Sequence, residues 1–352
     1  MITPSLLAFL LFIVIANYLF TRWFIRYAKV RRITDYPTAR SSHEVPTPKG
    51  GGVGFVWVTL LSYAVYLLVH GLYDMTGLPV LVLVLTTVSC LGWFDDKHDL
   101  SKRVRFGVQS MAAIAAIVFL GGLESIYVPL LGMTEPGLLG SIIAFFWITG
   151  TANIYNFMDG VDGIASVQAI GASVGWMIFA WIWEVPELFT VNLFLLAALS
   201  VFLTFNWAPA KIFMGDVGSL FLGFAFAIMP FLAAYESDGV DAGETIWLAG
   251  LLLWPFLFDG AYTIFRRLSK EENIFKAHRS HLYQRLNITG WSHSRISTLY
   301  LLFSLIGIGC ALMFHFFSGW SQILLLVILL AASISFIPFV KRTELRQGIG
   351  ER

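Results

Sequence analysis

Long apolar segments alternate with short polar ones along the whole chain. Roughly 17 to 25 mostly apolar residues are enough for an α-helix to cross a bilayer, and eleven segments of this kind can be drawn. The pattern therefore predicts an all-α polytopic membrane protein with about eleven transmembrane helices. The predicted spans lie near residues 3–24, 51–70, 78–94, 105–121, 137–156, 163–182, 188–206, 214–234, 244–265, 296–316 and 319–340.

The segments between the spans are short and no internal repeat is visible, so one membrane domain is predicted over residues 1–352. The first span has no basic residue ahead of it and no small-residue cleavage site after it, which favours an uncleaved helix. Residues 122–136, in which Ile126-Tyr-Val-Pro129 lies between turn residues, predict a short hairpin after the fourth span. Trp254-Pro255 predicts a kink in the ninth span, because proline removes a backbone donor.

Composition excludes an ordinary soluble domain, since 57% of the residues are hydrophobic and only 13% are charged. The 23 basic residues all fall on one side of the predicted spans, and the opposite loops carry only acidic charges. Because positively charged loops stay in the cytoplasm, we expect the N-terminus outside and the C-terminus inside. The basic face suits anionic headgroups and phosphates, although positive-inside sorting alone explains most of it.

A polar motif, Asn153-x-x-Asn156-x-x-Asp159-Gly-Val-Asp162-Gly163, ends the fifth span. Positions three residues apart drift around a straight helix by about 60° per step, so they do not form one stripe. We expect the asparagines in the last helical turns and a glycine break that lets the two carboxylates converge on a cytoplasmic ligand. Amides can hold a base or sugar, and carboxylates a metal or ribose hydroxyls. Asparagines that join helices beside a Gly-rich turn are the structural alternative.

Two further acidic clusters lie on the same predicted face. Asp95 and Asp96 end the third span and, as adjacent helical positions, point about 100° apart, so we expect them to have different roles. One would ligate a divalent cation while the other accepts a proton or positions an acceptor phosphate; both could instead be solvated loop residues. Asp216 opens the eighth span, where it could cap the helix or bind Mg²⁺, which prefers oxygen ligands.

Two basic segments are candidate anion sites. His278, Arg279 and His281 lie before the tenth span and are interpreted as groups that bind a pyrophosphate or leaving group, although loop histidines are more often only solvated. Lys49 precedes three glycines at 50–52, which allow close backbone approach to a phosphate but equally suit a plain entry into a helix. Arg105 is open between a lipid-headgroup anchor and a substrate clamp.

Taken together, these motifs resemble the polyprenyl-phosphate N-acetylhexosamine-1-phosphate transferases of glycosyltransferase family 4. The resemblance covers most of the chain and rests on the order and spacing of five motifs. They are Pro-Thr-Pro-Lys-Gly-Gly-Gly at 46–52, Phe94-Asp-Asp96, the 153–163 motif, Asn206 followed by Phe213-Met-Gly-Asp216-Val-Gly-Ser219, and His278-Arg-Ser-His281. Eleven spans and the 278–285 loop look more like the O-antigen and teichoic-acid initiating enzymes than the ten-span muramyl-pentapeptide transferase.

The resemblance implies a bacterial inner-membrane enzyme that transfers N-acetylhexosamine-1-phosphate from a UDP-sugar to undecaprenyl phosphate, with release of UMP and a need for Mg²⁺ or Mn²⁺. It implies that Asp95 or Asp96 orients or deprotonates the lipid phosphate, and that Asp216 with Asp95 holds the metal. It implies substrate contacts for Lys49, Asn153, Asn156, Asp159, Asp162, Asn206, Phe213, His278, Arg279 and His281. No nucleic-acid partner is expected. The hexosamine, the number of chemical steps and the oligomeric state, a homodimer included, are left open.

A secondary transporter of an anionic substrate is the alternative. Charges at the middle of the bilayer and an inverted repeat would favour it. Here nearly every carboxylate outside the outer loops lies at a predicted cytoplasmic end of a span, which favours the enzyme.

Overall fold

The computed structural model describes residues 3–37, 42, 45–72, 77–273 and 278–349. This part of the chain contains thirteen α-helices and two small antiparallel sheets of two strands each. The helices are α1 (Pro4–Arg31), α2 (Gly52–Val69), α3 (Gly77–His98), α4 (Lys102–Leu120), α5 (Leu138–Phe157), α6 (Ile164–Ile182), α7 (Pro186–Asn206), α8 (Asp216–Glu236), α9 (Ala242–Leu252), α10 (Trp254–Ser269), α11 (Leu282–Ile288), α12 (His293–Phe316) and α13 (Trp320–Arg346). The strands are β1 (Thr34–Asp35), β2 (Thr47–Pro48), β3 (Ile126–Val128) and β4 (Gly132–Thr134).

The number of candidate spans agrees with the sequence pattern. Within the described ranges, ten helices are long and apolar enough to cross a membrane, and α9 with α10 forms an eleventh candidate bent by 81°. The bend falls at Leu253, beside the predicted Trp254-Pro255 kink. The predicted all-α polytopic fold is therefore confirmed, whereas the side of the bilayer that each end faces stays a prediction.

Helix α8 forms the centre of the bundle. An 18-residue window of α8 is 94% buried, whereas the corresponding windows of α1 and α13 are 22% and 11% buried. A Cβ on Gly92 of α3 would lie 2.4 Å from the Asp216 carbonyl oxygen, and one on Gly52 of α2 would lie 2.5 Å from Gly218 N. Small residues permit such close approach between membrane helices. The N-terminus of α8 is therefore enclosed by α2 and α3.

The two small sheets have different roles. Strands β3 and β4 pair as the predicted hairpin, and Trp247 Nε1 of α9 donates to the Tyr127 carbonyl at 2.8 Å. Strands β1 and β2 also pair, and the segment after β2 bonds to the segment before α8. Phe213 N donates to the Pro48 carbonyl and Gly51 N donates to the Phe213 carbonyl, each at 2.8 Å. Lys49 is thereby held beside the start of α8.

The polar motif at the end of α5 breaks the helix as expected. Helix α5 ends at Phe157, and Gly163 precedes α6 with φ +79°, in the left-handed region that favours glycine. Asn153 and Asn156 lie in the last turns of α5, and the two aspartates of the motif lie in the loop that follows.

Candidate active site

Asp96 joins the end of α3 to the start of α8. Its Oδ1 accepts from Asp216 N at 3.0 Å and its Oδ2 from Val217 N at 3.2 Å. These N–H groups have no partner inside the helix, and a carboxylate there also interacts favourably with the helix dipole. Gly215 has φ +76°, and a Cβ at this position would lie 2.5 Å from Asp96 Oδ2. Glycine is therefore required where the chain turns into α8.

The Asp96 carboxylate also forms an ion pair with Lys49. Oδ1 lies 2.9 Å from Lys49 Nζ, and the Asp96 side chain is fully buried. Burial opposes the charge on the lysine, but the carboxylates of Asp96 and Asp216 outweigh it and raise the pKa of Lys49 well above its usual value. Lys49 therefore supplies a permanent positive charge at this end of the bundle.

Asp95 has different partners from its neighbour. Its Oδ1 accepts from Leu100 N at 2.8 Å, and its Oδ2 lies 2.9 Å from Arg105 Nη1 of α4. Arg105 Nη1 is also 3.9 Å from Asp216 Oδ2, so one guanidinium lies beside both carboxylates. The alternative that Asp95 and Asp96 are solvated loop residues is wrong, because both belong to α3 and both side chains are buried.

Asp95 and Asp216 are the two neighbouring carboxylates at which a divalent cation could be held. No group of three or more His, Cys, Asp or Glu side chains suited to a metal ion is found within the described ranges. Two carboxylates suit Mg²⁺, which usually takes one or two from the protein and completes its shell with water and substrate phosphate oxygens. Arg105 provides a positive charge between the same carboxylates.

The asparagines of the polar motif divide into two kinds. Asn153 Nδ2 donates to Gln109 Oε1 of α4 and to the Thr149 carbonyl, each at 2.7 Å, so it joins α4 to α5. Asn156 Nδ2 is buried and has no hydrogen-bond partner among the described residues. The substrate contacts predicted for both asparagines stay predictions. The Nδ2 group of Asn156 is available to donate a hydrogen bond to a substrate.

Asp159 lies in the loop between α5 and α6, near the carboxylates of Asp96, Asp162 and Asp216. Burial is the largest cause that raises the pKa of Asp159, to about 7, and the negative charges of Asp216, Asp96 and Asp162 add to it. A cation or a donor bound here would therefore favour the charged form of a group that is otherwise half protonated near neutrality.

Asp162 is tied on both carboxylate oxygens. Oδ1 lies 3.1 Å from His293 Nδ1 of α12, and Oδ2 accepts from Ala210 N at 2.9 Å. Nε2 of His293 is 3.1 Å from the Ser42 carbonyl oxygen. His293 therefore links α12, the loop of the polar motif and the segment before α2. Sequence reasoning missed it, because a single histidine at the start of a span has no motif around it.

Two predicted substrate residues flank the segment between α7 and α8: Asn206 is the last residue of α7, and Phe213 lies just before α8. Asn206 is 2% exposed; its Oδ1 accepts from Ser166 Oγ at 2.9 Å and its Nδ2 donates to the Ile212 carbonyl at 3.1 Å. These bonds give Asn206 a positioning role for the loop, and its direct contact with substrate stays an untested prediction. Phe213 is half-buried, and its backbone bonds to the segment around Lys49.

The basic loop leads into the short helix α11, which Asp259 anchors. Asp259 is 1% exposed, and its carboxylate accepts from the backbone N–H groups of Leu282 and Tyr283 and from the Tyr300 hydroxyl. His281 is buried, with Nδ1 3.3 Å from Asp259 Oδ1. Asp259 therefore holds the start of α11 in place. The diphosphate contact predicted for His281 is untested, and the geometry gives this residue a role in holding α11.

His278 and Arg279 are less enclosed. Both are half-buried, and Ser280 Oγ lies 2.9 Å from His278 Nδ1. Burial, followed by the positive charges of His281 and Arg267, lowers the pKa of His278 to about 4. His278 is therefore neutral at pH 7 and can exchange hydrogen bonds without adding charge, whereas Arg279 carries the charge of this loop.

Tyr283 connects α11 to the end of α5. Its hydroxyl donates to the Phe157 carbonyl at 3.1 Å, and a Cβ on Gly160 would lie 2.1 Å from that hydroxyl oxygen. The basic loop and the polar motif therefore meet at one end of the bundle. Adjacent carboxylates, fixed cations and a helix N-terminus can together hold a cation and the oxygens of a phosphate or diphosphate.

Comparison with known proteins identifies related membrane enzymes. The family model of glycosyl transferase family 4 matches residues 78–234. A probable undecaprenyl-phosphate N-acetylglucosaminyl 1-phosphate transferase of Bacillus subtilis is 31% identical over 269 residues, which cover 75% of this chain and 72% of the relative. The residues that the family model matches therefore include the C-terminal ends of α3 and α5 and the N-terminal end of α8, which carry most of the site.

Two other relatives show how wide the similarity is. A decaprenyl-phosphate N-acetylglucosaminephosphotransferase of Mycolicibacterium smegmatis is 27% identical over 357 residues, covering 93% of this chain and 87% of the relative. A phospho-N-acetylmuramoyl-pentapeptide-transferase of Latilactobacillus sakei is 27% identical over 273 residues, covering 74% and 82%.

Proposed function

Since the chain belongs to glycosyl transferase family 4, we propose that it transfers an N-acetylhexosamine-1-phosphate group from a UDP-sugar to a polyprenyl phosphate. The products are a polyprenyl-diphosphate-sugar and UMP. The observation that carries the proposal is the group formed by Asp95, Asp96, Asp216, Lys49 and Arg105 at one end of a membrane bundle. A water-soluble donor and a membrane-bound acceptor can meet only where the end of the bundle lies at the boundary between the membrane and water.

The carboxylates of the site have distinct proposed roles. Asp95 and Asp216 would hold Mg²⁺, or Mn²⁺ in its place, and the bound cation would offset negative charge on the transferring phosphoryl group. Asp96 is committed to Lys49 and to the start of α8, so we assign it to positioning and to the electrostatics of the acceptor. Asp95, the carboxylate beside Arg105, is then the group that orients or deprotonates the acceptor phosphate.

The donor would lie over the 153–163 loop. Asn156 has a donor that bonds to none of the residues the structure describes, and Asp159 is half-buried, so both can contact the nucleotide sugar. Asp162 holds the loop through His293. Arg279, with neutral His278, would contact the diphosphate from the basic loop. The names of the relatives make UDP-N-acetylglucosamine the first donor to test.

The cellular setting completes the proposal. We place the site on the cytoplasmic face of a bacterial inner membrane, because the basic residues lie at the same side of the predicted spans as the site and basic loops stay in the cytoplasm. The N-terminus is then outside. Undecaprenyl phosphate is the proposed acceptor, and the reaction would initiate a cell-envelope polysaccharide such as an O-antigen.

Release of UMP tests the proposal. Purified protein in detergent is supplied with Mg²⁺ and a panel of UDP-N-acetylhexosamines, with and without undecaprenyl phosphate. We expect UMP only when the lipid phosphate is present, loss of release with EDTA, and loss in Asp95→Asn and Asp216→Asn. A folded protein that releases no UMP from any donor would contradict the proposal and make anion transport the next assay.

A further inference from the structure

A buried glutamine next to the site has an amide donor that the protein does not use. Gln109 lies in α4 and is 1% exposed. Its Oε1 accepts a hydrogen bond from Asn153 Nδ2 at 2.7 Å, but its Nε2 has no hydrogen-bond partner among the residues that the structure describes. Buried polar groups are nearly always bonded, so each exception needs an explanation.

The orientation of this amide is fixed by its neighbours. Asn153 Nδ2 also donates to the Thr149 carbonyl, and a carbonyl oxygen can only accept. The Asn153 nitrogen therefore cannot exchange places with its oxygen, and the atom of Gln109 that faces it must be the acceptor Oε1. The unused group of Gln109 is therefore the NH₂, which carries two donors.

Gln168 shows what a structural glutamine looks like in the same bundle. It is 0% exposed, its Nε2 donates to the Leu252 carbonyl at 2.8 Å and its Oε1 accepts from Ser304 Oγ at 2.8 Å. Both ends of Gln168 are used by the protein. Gln109 is equally buried but satisfied at one end only.

The position of Gln109 indicates what its amide would bind. Gln109 follows Arg105 by four residues, so both lie on one face of α4, about 6 Å apart along the helix. Arg105 contacts Asp95 and Asp216, and Gln109 is one turn farther into the spanning segment. The other face of α4 is exposed along the span, at Met111 and Ile114 among others. The amide therefore lies on the membrane side of the carboxylates.

We propose that Gln109 Nε2 donates a hydrogen bond to a non-bridging phosphate oxygen of the polyprenyl phosphate acceptor. The inference rests on the proposed function and adds a residue to it. The acceptor's chain stays in the bilayer, so its phosphate approaches from the side where Gln109 lies, whereas the nucleotide approaches from water. Asn156 Nδ2, another buried donor with no partner in the described ranges, lies in the last turn of α5. A neutral donor binds a phosphate oxygen without requiring a buried charge.

Three variants separate the proposed phosphate contact of Gln109 from its structural hydrogen bond with Asn153. Gln109→Met removes the donor and the acceptor, and Gln109→Glu keeps an acceptor for Asn153 but places a carboxylate where the phosphate would bind. Gln168→Met is the matched control. We expect Gln109→Met to raise KM for undecaprenyl phosphate roughly tenfold, as for one lost hydrogen bond to a charged group, with KM for the UDP-sugar little changed. Gln109→Glu should be at least as impaired, while Gln168→Met should lower Tm and leave both KM values unchanged.

A binding measurement keeps the inference separate from the proposed activity. The rise in Tm on adding undecaprenyl phosphate is compared with the rise on adding undecaprenol and inorganic phosphate, for the wild type and Gln109→Met. We expect a rise specific to the lipid phosphate that Gln109→Met reduces. If Gln109→Glu retains wild-type KM for the lipid, or if the lipid phosphate stabilises Gln109→Met as much as the wild type, the inference is overturned whether or not UMP release is observed.

Discussion

Asp95 and Asp96 are adjacent in sequence but have different surroundings. The Asp96 side chain is fully buried between Lys49 and the start of α8, whereas Asp95 pairs with Arg105, which also lies 3.9 Å from Asp216. Removal of one partner from a buried ion pair leaves a charge without compensation, which is strongly destabilising. The two residues should therefore respond differently to the same change.

We predict that Asp96→Asn lowers the free energy of unfolding by roughly 3 kcal/mol, because it leaves Lys49 unpaired and weakens the cap of α8. Asp95→Asn should change it by about 1 kcal/mol or less, because Arg105 keeps Asp216 as a partner and the repulsion between the two carboxylates is relieved. Both should lower UMP release on the order of 100-fold or more. Thermal unfolding in micelles, measured beside turnover, checks the split. Equal losses of stability in the two variants would show that the assigned partners are wrong.

His278 gives a prediction about pH. Its pKa is lowered to about 4 in the folded protein, below the usual value near 6.5. Between these values the unfolded chain binds more protons, so the contribution of His278 to stability is full above pH 6.5 and is lost as the pH falls toward 4. His278→Gln should flatten the pH dependence of Tm in this window. A ring of His278 that titrates near 6.5 by NMR would contradict the assignment.

Much of the site could be predicted from residue types at span ends, but the pairings could not. The caps and ion pairs join residues far apart in the chain, such as Asp96 with Asp216 and His293 with Asp162. A single sequence does not show which polar groups meet across helices. The substrate contacts predicted for Asn206 and His281 are untested, and the sequence did not show that their side chains also bond within the protein.

At the scale of elements, the contact between α3 and α8 depends on glycine. A Cβ on Gly92 would lie 2.4 Å from the backbone oxygen of Asp216, which cannot move without moving α8. We predict that Gly92→Ala lowers the free energy of unfolding by roughly 2 kcal/mol and also impairs turnover, because it displaces Asp216. Gly107→Ala in α4 meets no atom within 4 Å and should be neutral or stabilising by about 0.5 to 1 kcal/mol. Thermal unfolding of both variants provides the comparison.

Helix α13 holds α11 through an ion pair. Arg285 of α11 donates from Nε and Nη2 to the two carboxylate oxygens of Glu344, at 2.7 and 2.5 Å, and both side chains are largely buried. We predict that Glu344→Gln lowers the free energy of unfolding by roughly 1 to 3 kcal/mol. The charge-reversed double variant, Arg285→Glu with Glu344→Arg, should recover part of that loss.

The ion pair of Arg267 and Glu272 is the control for the variants of Arg285 and Glu344. Its atoms are 3.0 Å apart, but Glu272 is 39% exposed, so Glu272→Gln should cost about 0.5 kcal/mol or less. An equal effect of Glu344→Gln and Glu272→Gln would mean that α13 does not hold α11.

Elements were more predictable than side-chain partners. Span number, the hairpin within 122–136, the helix break at Gly163 and the bend before Pro255 all follow from local patterns of apolar residues, glycine and proline. Helix α11 was not predicted, because seven residues in a basic loop have no apolar period. Its N-terminus is held by Asp259, a contact that only the folded chain makes.

For the whole molecule, the polar side chains at the two ends of the bundle have different partners. At one end, carboxylates meet Lys49, Arg105 and the start of α8. At the other, Glu244 lies 3.2 Å from His315 and Asp241 accepts from Ser125, so these polar groups hold the hairpin region together. The clustering that the positive-inside pattern predicted is present, and it separates a candidate reaction site from a structural end.

The central claim is that the sugar and its phosphate move together onto the lipid. The most direct measurement uses a UDP-N-acetylhexosamine with tritium in the sugar and a radioactive β-phosphorus, incubated with the protein, Mg²⁺ and undecaprenyl phosphate. We predict that both labels enter the lipid product in equal amounts and that the released nucleotide is UMP. Tritium in the lipid without the phosphorus label, with release of UDP, would contradict the proposed function.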